Sequence, residues 1–261
     1  MIFRQLFDPE TSTYTYLLAD DATREAVLID PVREQVARDA ALVRELELTL
    51  RFTLETHVHA DHITGASLLR QQLGSRAAVG AATGVGCADL PLADGATLRI
   101  GALELRALAT PGHTNGCTSY TCASAGIAFT GDALLIRGCG RTDFQHGDSR
   151  RLFRSVRERL FVLPDATLLY PGHDYRGRTV TTVAEEKRWN PRLGLAKSED
   201  EFVALMAALK LDTPKRMAES VPANLQCGTG PVPPAHQPAV ASLVAAQSGR
   251  QDGEPDLGAG I

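Results

Sequence analysis

The sequence predicts an α+β fold, with β-sheets inside and helices outside. Three observations lead there. Runs rich in β-formers recur, such as 13–18, 25–30 and 50–55. Segments with helical spacing lie between or after them; in 34–46, Val36, Ala40, Val43 and Leu46 fall on one face. Residues able to ligate a metal stand where predicted strands end, not on the helices.

Length and composition set the frame. A chain of 261 residues with 44% apolar and 22% charged residues is expected to form one large globular domain. Its net charge of −4 gives no general attraction to nucleic acid or an acidic membrane. There is no apolar run long enough for a membrane span. The start, Met1 to Asp8, lacks the long apolar core of a secretory signal, so a cytoplasmic location is expected. The five cysteines (Cys87, Cys117, Cys122, Cys139 and Cys227) are odd in number and contain no C-x-x-C pair. Neither a disulfide framework nor a zinc ribbon is therefore expected.

In chain order, Thr13 to Leu18 and Glu25 to Asp30 read as a hairpin across the Asp20-Asp21 turn. The helix 34–46 follows, then a buried strand at 50–55. Gly65 to Leu73 reads as a short helix closed by Gly74. A short strand is predicted at 77–80. Thr97 to Ile100 and Leu103 to Ala107 bracket Gly101-Ala102 as a hairpin. Strands are expected at 117–122, 127–130 and 167–170, and helices at 150–160 and 180–189. A further helix begins at Ser198, where Glu201 completes a capping box, and runs to about Leu209. Residues 1–228 form the expected catalytic domain. Residues 229–261, rich in Pro, Ala, Gly and Ser, read as a largely disordered tail.

The densest chemistry is at 55–65, Glu-Thr-His-Val-His-Ala-Asp-His-Ile-Thr-Gly. His57, His59, Asp61 and His62 hold three of the seven histidines of the chain. Three imidazoles on one loop have no cheap structural use. With a carboxylate among them they suit zinc, iron or manganese. Three more candidates share the setting: His113 and His173 each follow Pro-Gly after a strand, and Asp132 follows Thr-Gly after a strand. Alone, each would be an ordinary turn residue. Glycine at each turn lets the backbone approach a metal closely. His146 and His236 lack this setting and read as surface residues.

These motifs identify the chain as resembling the metallo-β-lactamase superfamily, an αβ/βα sandwich of two mixed sheets flanked by helices. Within it, the chain is similar to the persulfide (sulfur) dioxygenases. The resemblance is carried by Thr56 to Gly65, Pro111-Gly-His-Thr114, Thr130 to Phe144 with its Gly-Arg-Thr-Asp-Phe end, Tyr170-Pro-Gly-His-Asp-Tyr175 and Pro222-Ala-Asn-Leu-Gln-Cys-Gly228. It implies one Fe(II) per chain, held by His57, His113 and Asp132, with His59, Asp61, His62 and His173 supporting those ligands. Two histidines and one carboxylate leave open positions, as non-haem oxygenases need. The implied reaction oxidises glutathione persulfide with O2 to sulfite and glutathione, and related proteins suggest a homodimer. Arg141 and Tyr175 would line the substrate pocket, Arg141 as partner of a glutathione carboxylate, although an arginine bridging loops and a core tyrosine are the plainer alternatives. Cys227 would contact the sulfur substrate, or else serve as a small buried hydrophobe. Cys139, between two glycines, reads as structural.

Spacing alone leaves a dinuclear site equally open. His59 would then join the first metal, and Asp61, His62 and His173 would hold a second. The matching alternative function is a glyoxalase II-type thioesterase acting on a glutathione thioester through a metal-bound hydroxide. Against it stand Thr-Asp-Phe after Arg141, where that family carries an aromatic pair, and the short segment after His173.

Overall fold

Two six-stranded mixed sheets face each other and carry helices on their outer faces. The structure is a computed structural model and describes residues 1–229. The expected disordered tail, apart from its first residue, and His236 lie outside the described residues.

The first sheet holds β1 (Ile2–Asp8), β2 (Thr13–Ala19), β3 (Glu25–Ile29), β4 (Thr49–Glu55), β5 (Arg76–Gly80) and β6 (Leu90–Leu92), side by side in that order. The first two pairings are antiparallel and the others parallel. Parallel neighbours require crossovers. Helix α1 (Val36–Glu45) joins β3 to β4, and α2 (Ala66–Leu73) joins β4 to β5.

The second sheet holds β7 (Thr97–Ile100), β8 (Leu103–Ala109), β9 (Thr118–Cys122), β10 (Ile127–Gly131), β11 (Leu168–Pro171) and β12 (Thr181–Thr182), again in sequence order from one edge. Helices α3 (Ser149–Ser155), α4 (Val183–Trp189) and α5 (Glu199–Ala208) cover its outer face. The last element among the described residues is α6 (Met217–Asn224).

The two-residue period of a strand explains the layers. In β2 and β3, Tyr16, Leu18, Val27 and Ile29 point between the sheets, where they meet Ile100, Leu105, Tyr120 and Phe129. Their neighbours Leu17, Ala19, Ala26 and Leu28 point outward against Val36, Ala40 and Val43 of α1. Both faces of β2 are therefore covered, and all seven of its residues are buried.

The hairpins and the strand before each metal-type motif fall where expected, and Ser198 and Glu201 do form a capping box. Several elements differ. β1 was not anticipated. It is an edge strand of mostly half-buried residues, without the alternation that marks a sheet face. β6 has only three residues. The helix expected over 150–160 changes to wider π turns at Val156–Leu160. The one expected over 180–189 begins as strand β12. Helix α6 contains Pro222, a residue that reads as a helix breaker in sequence.

The cysteine expectation needs correction. Cys87 and Cys227 form a disulfide across a sequence separation of 140. No local spacing rule signals such a pair. Cys117, Cys122 and Cys139 are free and buried, the last as a structural residue in the core beneath α3 to α5.

Candidate metal centre

Three strand ends converge on one point. β4 runs into His57, β8 leads through Thr110-Pro111-Gly112 to His113, and β10 ends at Gly131 just before Asp132. The donor atoms of His57, His113 and Asp132 all lie within 4.8 Å of one another. The turns need glycine. Gly112 has φ of +141°, and a Cβ there would lie 2.3 Å from the backbone of Leu152. Gly131 has φ of +50° and would drive a Cβ to 2.5 Å from Thr56 Oγ1.

Hydrogen bonds orient the two imidazoles. Thr56 donates its hydroxyl to Asp30 Oδ2 at 2.8 Å, so its oxygen accepts from His57 Nδ1 at 3.0 Å. His113 Nδ1 donates to the carbonyl oxygen of Arg141 at 2.6 Å. In each ring the remaining Nε2 keeps its lone pair for a metal, and the partner on Nδ1 fixes the tautomer. Burial, reinforced by His59 and His113, holds His57 well below the usual histidine range. It is therefore neutral, as a ligand must be.

The remaining ligand-type residues surround this triad. His59 Nε2 lies 3.1 Å from Asp30 Oδ1 and 3.4 Å from Glu55 Oε2. Burial opposes its charged form, but Asp30 and Glu55 prevail and hold His59 well above the usual range. His62 Nδ1 bonds Asp61 Oδ2 at 2.9 Å. His173 Nε2 stands 3.7 Å from Asp61 Oδ2 and 3.7 Å from Asp132 Oδ1. Asp61 is held well below the ordinary carboxylate range; burial works against this, but His62 and His173 outweigh it.

The donor set fits a metal. His59 Nδ1, His62 Nε2 and Asp132 Oδ1 are buried without a hydrogen-bond partner among the described residues. Buried polar atoms are normally satisfied. His59, held in its charged form, has no lone pair to offer, but the orphaned acceptors His62 Nε2 and Asp132 Oδ1, clustered with the converging triad, fit a cation.

An open cleft of about 740 Å³ lies over the triad. The structure places Arg141 and Tyr175 in its wall. Tyr175 is 72% exposed and stacks on His173 with ring centroids 6.0 Å apart, so it is a rim residue rather than a core tyrosine. Arg141 is heavily engaged. It pairs with both carboxylate oxygens of Asp143, at 2.6 and 2.8 Å, and donates to the carbonyl oxygen of Asp212 at 2.6 Å. It bridges loops, and a substrate carboxylate would have to share it.

Cys227 is not in this cleft. Its sulfur is bonded to Cys87, behind the metal loop, among Ala66, Ala77 and Val85. The expected contact of a free Cys227 thiol with substrate is corrected accordingly. His146 is exposed, as expected.

Several contributors carried no local signal. Asp30 anchors both Thr56 and His59. Asn224 donates to the carbonyl oxygens of His59 and His62 at 2.8 Å each and accepts from Thr64 N at 2.8 Å. Arg176 and Arg192 line the cleft, and neither forms a salt bridge among the described residues.

Residues 8–173 match the metallo-beta-lactamase superfamily. The chain belongs to the metallo-beta-lactamase superfamily. Within this superfamily the chain is 51% identical to the mitochondrial persulfide dioxygenase ETHE1 of Homo sapiens over 229 residues, covering 87% of this chain and 89% of that protein. The crystal structure of ETHE1 from Myxococcus xanthus superposes with a TM-score of 0.85 at 54% identity, covering 87% of this chain and all of that one. Similarity also extends to a hydroxyacylglutathione hydrolase of Cereibacter sphaeroides, 37% identical over 63% of this chain and 64% of that protein. The expected αβ/βα sandwich is thus the fold of the chain, and the chain is a homologue of the persulfide dioxygenases.

Proposed function

We propose that this chain is a persulfide dioxygenase that holds one Fe(II) per chain and oxidises glutathione persulfide with O2, releasing sulfite and glutathione. The observation that carries this reading is the convergence of His57, His113 and Asp132 within 4.8 Å, in a chain half identical to persulfide dioxygenases along most of its length. Two imidazoles and one carboxylate leave coordination positions free. When bound, the iron supplies the electron chemistry that lets O2 react with the persulfide sulfur.

The protein's part is placement. Thr56 and the Arg141 carbonyl aim Nε2 of His57 and of His113 at the site. His59, Asp61, His62 and His173 act as supports: Asp30 and Glu55 engage His59, and Thr13 Oγ1 lies 3.4 Å from His173 Nδ1. The cleft opens directly above the triad, so the outer sulfur can reach it while the peptide part of the substrate lies along the wall. Arg176 and Arg192, neither in a salt bridge among the described residues though Arg192 also donates to the Cys139 carbonyl oxygen at 3.3 Å, would receive glutathione carboxylates, while Tyr175 supplies an aromatic rim. We further propose a cytoplasmic location and a homodimeric assembly.

A thioesterase reading keeps one supporting observation. His62 Nε2 is an orphan, and Asp61, His173 and Asp132 stand close enough to admit a second metal. Oxygen uptake separates the two readings. The dioxygenase consumes O2 only when glutathione persulfide is added and does not hydrolyse a glutathione thioester. Thioester hydrolysis without O2 uptake would refute the proposal.

A further inference from the structure

We propose that Cys87 and Cys227 form a thiol-exchange site, modified by glutathione-type thiols, that sets how firmly the C-terminal strap grips the metal loop. The strap is the run 211–228. Its first part lines the cleft through Leu211, Asp212 and Pro214, joined there by Met217 at the start of α6. Its second part, α6, ends at Asn224, whose side chain holds the backbone of His59, His62 and Thr64. Three residues later, the Cys227 carbonyl accepts from Ser67 N at 3.2 Å. The strap thus touches both the substrate side and the back of the metal loop, and the disulfide fixes its far end to the loop before β6.

The two sulfurs are unequal. Cys227 is 5% exposed and packs in a small apolar cluster. Cys87 is half-buried, at the outer side of that cluster. A thiolate therefore reaches Cys87 first. It bonds to Cys87 Sγ as the S–S bond breaks, and the electron pair leaves on Cys227, which takes up a proton. The products are a Cys87 mixed disulfide and a Cys227 thiol. A second thiolate attacks the outer sulfur of the mixed disulfide, giving an oxidised thiol dimer and a free Cys87. The two attacking thiols are oxidised together by two electrons, and the protein disulfide is reduced by two. Glutathione as the reductant rests on the proposed dioxygenase reaction, which releases it. The strap would then loosen as product accumulates.

The test uses the metal-loaded full chain, prepared without reductant, before and after millimolar glutathione. Differential alkylation and mass spectrometry should find the linked 87–227 peptides first, and then free or glutathionylated Cys87. Closing so long a loop constrains the unfolded chain strongly, so glutathione should lower Tm by about 5 °C or more. Loss of metal to a chelator should quicken by at least about threefold as the clamp loosens. Cys87→Ser should show the lowered Tm without glutathione and should not respond to it. If that variant does not fold, the wild-type comparison decides alone. Free Cys87 and Cys227 before any reductant, or an unchanged Tm and metal loss after complete reduction, would overturn the proposal. None of these readouts uses O2, so this site and the dioxygenase reading can fail separately.

Discussion

The Asp30 carboxylate lies 3.1 Å from His59 Nε2, and it also accepts from the Thr56 backbone N–H at 2.7 Å and the Thr56 hydroxyl at 2.8 Å. One side chain thus holds the ring next to the triad and, through Thr56, the first ligand of the triad. It stands at the end of β3, one strand over from the loop it organises.

Asp30→Asn should keep the shape and lose the charge that stabilises His59. Loss of such an outer partner typically costs about 10–100-fold in metal affinity. Competition with a chelator measures this directly. Unchanged affinity would mean that the His57 geometry is held by the strand alone.

The arginines should separate by kinetic effect. Arg192→Ala removes a cleft cation with no salt bridge among the described residues. It should raise KM for glutathione persulfide by roughly 10-fold or more, with little change in kcat, since a hydrogen bond to a charged group contributes about 1.5–3 kcal/mol. Arg141→Ala breaks contacts to Asp143 and to the strap at Asp212. It should lower Tm and kcat together. Steady-state kinetics beside thermal unfolding distinguish the two, and a KM effect confined to Arg141 would reverse the assignment.

The sequence revealed what chemistry was present better than what holds it in place. His57, His59, Asp61 and His62 lie on one loop, so their meaning was local. Each strand before a ligand could be read from its apolar run. Asp30 and Asn224 looked ordinary because their partners are remote; Asn224 lies 165 residues from His59. The Pro222-to-Gly228 motif was visible, but the sequence drew attention to its thiol rather than to its amide. The disulfide was hidden for the same reason, because only the fold brings Cys87 and Cys227 together. β1 and β6 escaped because edge strands need no buried face on both sides.

The free thiols give a pH prediction. Burial pushes Cys117 up to about 12 and Cys139 up to about 11. A thiol raised in the folded state favours folding below its unfolded value of about 8.5, and that contribution is lost as pH climbs through the folded value. Iodoacetamide at about pH 8.5 should therefore leave both unmodified in the native protein. Stability should decline between about pH 9 and pH 11. Rapid labelling of native Cys117 would contradict its burial.

The central claim is that His57, His113 and Asp132 alone hold the metal while His173 supports them. Metal content per chain in the wild type, His113→Ala and His173→Ala tests it most directly. The account predicts one iron in the wild type, less than roughly a tenth of that in His113→Ala, and nearly full content in His173→Ala. Two metals in the wild type, or equal losses in the two variants, would contradict it.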